Sequence, residues 1–283
     1  MRFYAKAGKE HIISIGLMQD ETRLEQGDKE MAARERKYKA MISSDWNECL
    51  APTGPFDPVS FHYPGLTSEL SVVFKKYTAN LIPFKEAVGR IQAILPSPIT
   101  ESRMDAYLEQ SFKTYPGVPE LIEWCLGKDI LFMINTTGAQ GFFQRAFFKD
   151  LIPQIPVLSA SPFIRYARRR SDPRHVYDLF ETRDKAKHTE AVMMDKGIAA
   201  GKVILIGDSG GDGPHFEWGA RAGAHLVGSM TKHSLKSYCD ERGIEIDLHF
   251  GLSYSPAEPR NPGKEMLVNF MGLSGIIEEI LDL

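Results

Sequence analysis

Carboxylate, amide and hydroxyl side chains follow two apolar stretches of this sequence. Asp45 comes shortly after the apolar residues 40–42 and can act as a carboxylate nucleophile, with Asn47 two residues further on. Thr136 follows the apolar residues 130–134, and its hydroxyl can bind an oxygen of a phosphoryl group. These residue types suit chemistry at phosphorus, in which a nucleophile attacks while polar groups hold the phosphoryl oxygens.

A glycine-rich segment and a lysine supply the charges that such chemistry needs. The segment GDSGGD at residues 207–212 carries Asp208 and Asp212 on a tight turn that its glycines permit. Hard oxygen ligands of this kind bind Mg²⁺. Lys185 stands at the start of a predicted helix, from which its ammonium can reach the same crevice. A divalent cation and an ammonium together offset the negative charge that opposes displacement at phosphorus.

The elements that must position these residues alternate along the chain. Apolar runs predict strands at residues 40–42, 130–134, 155–158, 203–206, 224–227 and 246–250. Helical periodicity predicts helices at residues 119–126, 140–151, 187–196, 216–222, 232–242 and 264–281. The alternation predicts an α/β fold with a doubly wound parallel sheet, interrupted once by the helical block 68–112. Because parallel strands end at one shared edge, we expect the four chemical segments to meet there.

Composition excludes several classes of protein. The 283 residues carry a formal net charge of −3, which gives no global attraction for nucleic acid or anionic membranes. No apolar stretch approaches the ~20 residues that span a bilayer, and residues 1–20 lack the apolar segment of a signal peptide, so we expect a cytoplasmic protein. The three cysteines are far apart, which argues against a disulfide framework or a zinc site. The charge-dense residues 18–39 predict a solvated helix.

The four segments, in this order, resemble the motifs of the haloacid dehalogenase superfamily over roughly residues 40–230. The resemblance implies a Rossmann-like core at residues 40–50 and 116–283, a helical cap at 51–115, and an N-terminal helical extension at 1–39. It also implies a Mg²⁺-dependent hydrolase, a phosphatase that acts on a small phosphorylated metabolite through an aspartyl-phosphate. A homodimer through the extension or the cap is a further expectation.

The resemblance assigns roles to single positions. Asp45 is implied as the nucleophile, and Thr136 and Lys185 as groups that bind the phosphoryl oxygens. Asp45, Asp208, Asp212 and the backbone carbonyl of Asn47 are implied as ligands or positioners of Mg²⁺. Phosphatases of this superfamily usually carry Asp where this chain has Asn47, and an amide cannot exchange a proton near neutral pH. Asn47 therefore keeps two alternatives open: a phosphonatase-like or dehalogenase-like hydrolase, and a catalytically weak protein that binds a ligand or a partner.

Some site positions have competitors nearby. Lys187 competes with Lys185, and Asn135 replaces Thr136 if the strand register slips by one. Thr137 is predicted to bind substrate beside Thr136, although both threonines also suit the cap of the following helix. Glu48 is the nearest acid that could replace the missing one.

Three further features carry expectations of their own. The arginine tract, Arg165 to Arg174, reads as a solvated face or as a clamp in which Arg168 and Arg169 bind an anionic substrate. His215 is expected to be a capping or surface residue. The cap is expected to close over the site about hinges at residues 52–58 and 115–117.

Overall fold

A seven-stranded sheet organises the computed structural model, which describes residues 36–282. Most of the predicted N-terminal extension, residues 1–35, lies outside the described residues. All neighbouring strands pair in parallel, in the order β4-β3-β2-β1-β5-β6-β7. The strands are β1 (Ala40–Ser44), β2 (Ile130–Ala139), β3 (Val157–Ser161), β4 (His175–Asp178), β5 (Val203–Gly207), β6 (His225–Thr231) and β7 (Leu248–Ser253). The predicted α/β fold with a parallel sheet is confirmed.

Helices cover both faces of this sheet. They are α1 (Asp57–His62), α2 (Thr67–Thr78), α3 (Phe84–Ile94), α4 (Glu101–Ser111), α5 (Val118–Gly127), α6 (Gln140–Phe148), α7 (Asp184–Lys196), α8 (Gly213–Ala222), α9 (His233–Asp240), α10 (Pro262–Glu265) and α11 (Leu273–Leu281). One apolar cluster joins one sheet face to α5, α6, α11 and the helices α1–α4. A second joins the opposite face to α7, α8 and α9.

The central strands are buried on both faces because their residues alternate between the two clusters. Ile42 of β1 packs with the first cluster, whereas its neighbour Met41 packs with the second. Phe132 and Leu131 divide in the same way on β2. Strands buried on both faces read as continuous apolar runs, which is why the sequence revealed β1, β2 and β5.

Of the helices between β1 and β2, the first four, α1 to α4, form what we call the helical insert, residues 57–111. The expectation of a helical block without strands is confirmed for these residues. The chain returns to the end of β1 at Tyr115, whose backbone NH donates to the carbonyl of Leu50 at 3.0 Å. Residues 38–282 belong to one compact unit, so the division into a core and a cap domain stays a prediction.

Some elements differ in extent from the prediction, and one strand was not predicted. Strand β4 was missed, since its four half-buried residues HVYD contain no apolar run and lie at the sheet edge. β3 lies at Val157–Ser161 rather than at 155–158. The predicted helix 264–281 is interrupted because the Phe270 NH bonds the carbonyl of Pro116 at 2.7 Å, which fixes a 3₁₀ turn to the core. Within the described residues, no helix is both long and apolar enough to cross a membrane.

Candidate active site

Asp45 lies just beyond the carboxyl end of β1, the central strand. Its backbone NH donates to the carbonyl of Ile206 on β5 at 2.9 Å, and its Oδ1 accepts the NH of Trp46 at 2.7 Å. The residue is only 7% exposed. Burial raises the pKa of the Asp45 carboxyl, while the nearby ammonium of Lys185 opposes that shift. The Asp45 side chain is therefore a fixed carboxylate that is largely excluded from solvent and faces the predicted crevice.

Thr136 and Asn47 form a bridge beside this carboxylate. The Thr136 hydroxyl donates to Asn47 Oδ1 at 3.2 Å, and Asn47 Nδ2 donates to the carbonyl of Thr53 at 3.3 Å. The Asn47 side chain can lie here only because residue 138 is glycine, since a Cβ at that position would lie 2.6 Å from Asn47 Oδ1. The Asn135 side chain instead bonds the Lys185 carbonyl, so the structure brings Thr136 and not Asn135 to the site.

Lys185 lies in the first turn of α7 and is 1% exposed. Its Nζ lies 3.3 Å from Asp45 Oδ2 and donates to Asp212 Oδ1 at 2.6 Å. Burial disfavours the ammonium, yet the two carboxylates together raise the pKa of Lys185. The charge therefore stays on Lys185 and links the ends of β1 and β5.

The loop after β5 is shaped by its own side chains. Asp212 Oδ2 accepts the NH groups of Asp208 and Ser209 at 3.0 and 3.3 Å, within a capping box that opens a short 3₁₀ turn. Burial opposes ionisation of Asp212, but the Lys185 ammonium and these NH groups lower its pKa overall. Gly207 is required because a Cβ there would meet Asp212 at 2.7 Å.

Three buried carboxylates can hold a cation. One oxygen from each of Asp45, Asp208 and Asp212 lies within 4.8 Å of the others. Asp208 is 1% exposed, and its Oδ2 receives no hydrogen bond of good geometry. Burial raises the pKa of Asp208 well above its ordinary value. A buried oxygen without a hydrogen bond in an all-oxygen set fits a hard divalent cation such as Mg²⁺.

A second ammonium, Lys232, lies beside this cluster directly after β6. Its Nζ is 2.6 Å from Asp208 Oδ2 and also contacts the carboxylate of Glu48. Glu48 in turn pairs with Arg260 at 2.5 Å. Burial disfavours a charged Glu48, but these two cations lower its pKa overall. Glu48 is therefore engaged as an ionised partner of two cations.

Helix α2 closes the space above Asp45. The small cavity there measures about 10 Å³, room for at most one water molecule. Phe74, Tyr77 and Thr78 of α2 line it, together with Asp45, Asp208, Lys185 and Lys232. The Tyr77 hydroxyl lies 3.1 Å from Thr137 Oγ1. A phosphate ester does not fit in a space of this size.

Comparisons with known proteins bear on the fold. Neither a family model nor a curated protein sequence matches the chain. A phospho-aspartyl intermediate analogue of phosphoserine phosphatase aligns with a TM-score of 0.56 at 15% identity, over 75% of this chain and 93% of that one. A substrate-bound phosphoserine phosphatase gives 0.56 at 16% identity over the same shares. A haloacid dehalogenase family hydrolase from Salmonella enterica serovar Typhi gives 0.53 at 12% identity, over 77% of this chain and 68% of that one.

The fold is that of the haloacid dehalogenase hydrolases. The polar segments that suggested the resemblance lie at the carboxyl edge of β1, β2 and β5 and at the start of α7. Lys185 contacts both Asp45 and Asp212 of the 207–212 loop, and Thr136 bonds Asn47 beside them. Their chemical roles stay predictions.

Other residues proposed for the site lie elsewhere in this haloacid dehalogenase fold. The Lys187 side chain is 65% exposed and pairs with Asp184 at 2.9 Å. Arg168 donates to the carbonyl of Pro173, and Arg169 pairs with Glu101 of α4 at 2.7 Å. The structure does not bring these three side chains to Asp45. Thr137 does line the cavity, and neither threonine caps α6, whose N-cap residue Ala139 makes no side-chain bond.

Sequence reasoning missed Lys232 and misplaced His215. Lys232 follows β6 directly, so the rule that strand ends carry function would have found it. His215 is neither capping nor exposed, since it is buried and its Nε2 lies 2.9 Å from Thr189 Oγ1. Cys49 is buried.

Proposed function

We propose that this protein is a Mg²⁺-dependent phosphohydrolase that cleaves a small phosphorylated substrate through an aspartyl-phosphate at Asp45. The observation that carries the proposal is the ion pair of Lys185 with Asp45 inside the buried carboxylate cluster. The likeness of the fold to phosphoserine phosphatases supports the same reaction class.

Asp45, Asp208 and Asp212 would hold Mg²⁺, with the Asn47 carbonyl as a further ligand that the resemblance implies. Bound there, the ion would neutralise charge on the phosphoryl oxygens. The chain's own residues do the rest. Lys185 and the Thr136 hydroxyl hold the phosphoryl group while the Asp45 carboxylate attacks phosphorus, and the bond from phosphorus to the leaving oxygen breaks.

Proton transfer is the step for which the side chains next to Asp45 are poorly suited. The Asn47 amide has no titratable proton, and Glu48 is held ionised by Lys232 and Arg260. The leaving oxygen therefore takes its proton from water, and attack of water on the aspartyl-phosphate proceeds without a side-chain base at Asn47. We expect formation of the intermediate to outpace its breakdown.

The test uses purified protein with phosphate esters, phosphonates and haloacids, with and without Mg²⁺. Mass spectrometry of acid-quenched protein should show one added phosphoryl group on Asp45 with an ester substrate. Asp45→Asn should abolish both the adduct and turnover, whereas the exposed Asp150→Asn should keep both. Product without any adduct at Asp45, or turnover by Asp45→Asn, would contradict the proposal.

The metal site is tested separately by calorimetry. Wild-type protein should bind Mg²⁺, and the double variant Asp208→Asn, Asp212→Asn should lose that binding because two carboxylate charges are removed. An unchanged Mg²⁺ affinity in the double variant would remove this site from the mechanism.

A second function is favoured by the way Asn47 is held. Its amide is bonded to Thr136 on one side and to the Thr53 carbonyl on the other, so it acts as a fixed connector. A protein that binds a phosphorylated ligand without turning it over would keep this arrangement. Binding of an ester without adduct or product would favour that function.

A further inference from the structure

Lys232 brings a second ammonium to the carboxylate cluster, and the function proposed above uses it only as a partner of Glu48. Its Nζ lies 2.6 Å from Asp208 Oδ2, and its backbone NH donates to the Asp208 carbonyl at 2.8 Å. The main chains of the two residues are therefore fixed to each other. The Lys232 side chain itself is 18% exposed.

Lys232 forms a close ion pair with Asp208, in which Nζ lies 2.6 Å from the buried Oδ2. Lys185 pairs with Asp212 at the same distance on the other side of the cluster. A compact point charge beside an oxygen is also what a metal ion provides. Lys232 thus neutralises Asp208 in the way a cation bound there would.

Glu48 gives Lys232 a second counterion outside the cluster. Glu48 contacts Lys232 through Oε2 and Arg260 through Oε1. Arg260 is held by Glu265, which is fully buried and also accepts the hydroxyl of Tyr115 at 2.6 Å. This chain of alternating charges fixes Glu48. Lys232 can therefore leave Asp208 and remain paired.

A divalent ion and an ammonium a few ångströms apart at one carboxylate repel each other strongly in a buried site. We propose that Lys232 occupies the cation position at Asp208 in the metal-free protein and yields it to Mg²⁺, staying paired with Glu48. The inference rests on the proposed function, because it needs the Mg²⁺ site of that function. Lys232 then sets the Mg²⁺ affinity by competing for Asp208.

Calorimetric titration with Mg²⁺ alone tests this competition. Lys232→Met keeps the length of the side chain and removes its charge, so its Kd for Mg²⁺ should fall about tenfold or more below that of wild type. The metal-free variant should melt at a lower temperature, because Asp208 loses its counterion, and Mg²⁺ should raise its Tm by more than it raises that of wild type. If Lys232→Met does not fold, Lys232→Gln serves in its place.

Lys236→Met is the matched control. Lys236 lies on the same helix, its side chain is 60% exposed, and it pairs with Asp240, so the Kd for Mg²⁺ should stay within twofold of wild type. An unchanged or weaker Mg²⁺ affinity in a folded Lys232 variant would overturn the inference. If wild-type protein binds no Mg²⁺ at all, the proposed function fails with it.

A crystal structure of wild-type protein with Mg²⁺ separates exchange from a distant effect of charge. Exchange requires the Lys232 Nζ to lie more than about 4 Å from both Asp208 oxygens while it keeps its contact with Glu48. A Mg²⁺-bound structure in which Nζ still lies 2.6 Å from Asp208 Oδ2 would overturn exchange, even if Lys232→Met binds Mg²⁺ more tightly.

Discussion

Asn47 occupies a position where the side chain decides how protons move. Its Oδ1 accepts from Thr136, and its Nδ2 donates to the carbonyl of Thr53 at 3.3 Å. A carboxyl group of the same shape would place one oxygen against that carbonyl. Since two acceptors repel unless a proton lies between them, the environment would favour a protonated acid there.

Asn47→Asp should therefore create a general acid and raise turnover of a phosphate ester. General acid–base assistance contributes about 10²- to 10⁴-fold. Steady-state kinetics on the same ester, with quenched-flow measurement of the Asp45 adduct, checks the increase and should show less adduct at steady state. A variant that is folded but no faster would mean that another group already moves the proton.

Lys185 and Lys187 provide a matched pair on one helix. Lys185 is buried against Asp45 and Asp212, whereas Lys187 is exposed beside Asp184. Lys185→Met should slow formation of the Asp45 adduct by about 10²- to 10³-fold, the usual effect of losing one group that stabilises developing charge.

The control, Lys187→Met, should change the rate of adduct formation less than twofold. Exposed ion pairs of this kind contribute about 0–1 kcal/mol, so its free energy of unfolding should also change little. A similar loss of rate in both variants would show that general charge on α7, and not contact with Asp45, governs the reaction.

The two sides of the helical insert are attached to the core by different kinds of contact. Helix α4 is held by ion pairs: Arg145 donates to both oxygens of Asp105 at 2.7 and 2.8 Å, and Arg169 pairs with Glu101. Both guanidinium groups stack on Phe148 of α6. The arginine tract thus contributes Arg169 to fastening α4.

The polar contacts that join helix α2 and the start of α3 to the core are single hydrogen bonds. These join Tyr77 to Thr137, Asn80 to the carbonyl of Gly210, and the Phe84 NH to Glu181. Each such bond contributes about 0.5–1.5 kcal/mol. Because the cavity above Asp45 is too small for substrate, α2 is the element that we expect to lift, rather than the whole insert about two hinges.

Hydrogen exchange should resolve this difference between the elements. In metal-free protein, residues 67–83 should exchange faster than residues 101–111, and a phosphate analogue with Mg²⁺ should protect 67–83 selectively. Arg145→Met, which removes the ion pair of α4 at Asp105, should speed exchange at 101–111 without changing 67–83. Equal ligand-dependent protection of both ranges would support motion of the insert as one body.

The fold was largely predictable because the strands that carry the site are also the most buried. Residues 40–42, 130–134 and 203–206 are continuous apolar runs. Asp45, Thr136 and Asp208 follow the ends of these runs, which is where the fold class predicts functional side chains. Strand β4 was not predicted because an edge strand with half-buried residues needs no apolar run. Lys232, Glu48 and Arg260 meet only through tertiary folding, so no local pattern joins them.

Stability of the whole molecule should depend on pH through His215. Burial lowers the pKa of His215 to about 3, so the folded state keeps this imidazole neutral where the unfolded chain protonates it at its ordinary value near 6.5. The unfolded state then binds more protons between pH 6.5 and 3. The free energy of unfolding should accordingly fall by about 2 kcal/mol from pH 7.5 to pH 5 on account of this residue.

Urea unfolding of His215→Gln across that range checks the effect. The variant should be less stable at pH 7.5 and should lose this share of the pH dependence, since glutamine does not titrate. His233→Gln, at an exposed position, should keep the wild-type slope. A slope unchanged in His215→Gln would assign the pH dependence to other groups.

The strand order also has a consequence for synthesis of the chain on the ribosome. Met41 of β1, the central strand, pairs with Leu131 of β2 on one side and with Val203 of β5 on the other. At 5–20 residues per second, β5 is translated roughly ten to thirty seconds after β1. During that interval β1 lacks its partner on one edge, and an unpaired apolar strand edge invites aggregation. We therefore expect the nascent chain to depend on chaperone binding until residue 207 has left the exit tunnel.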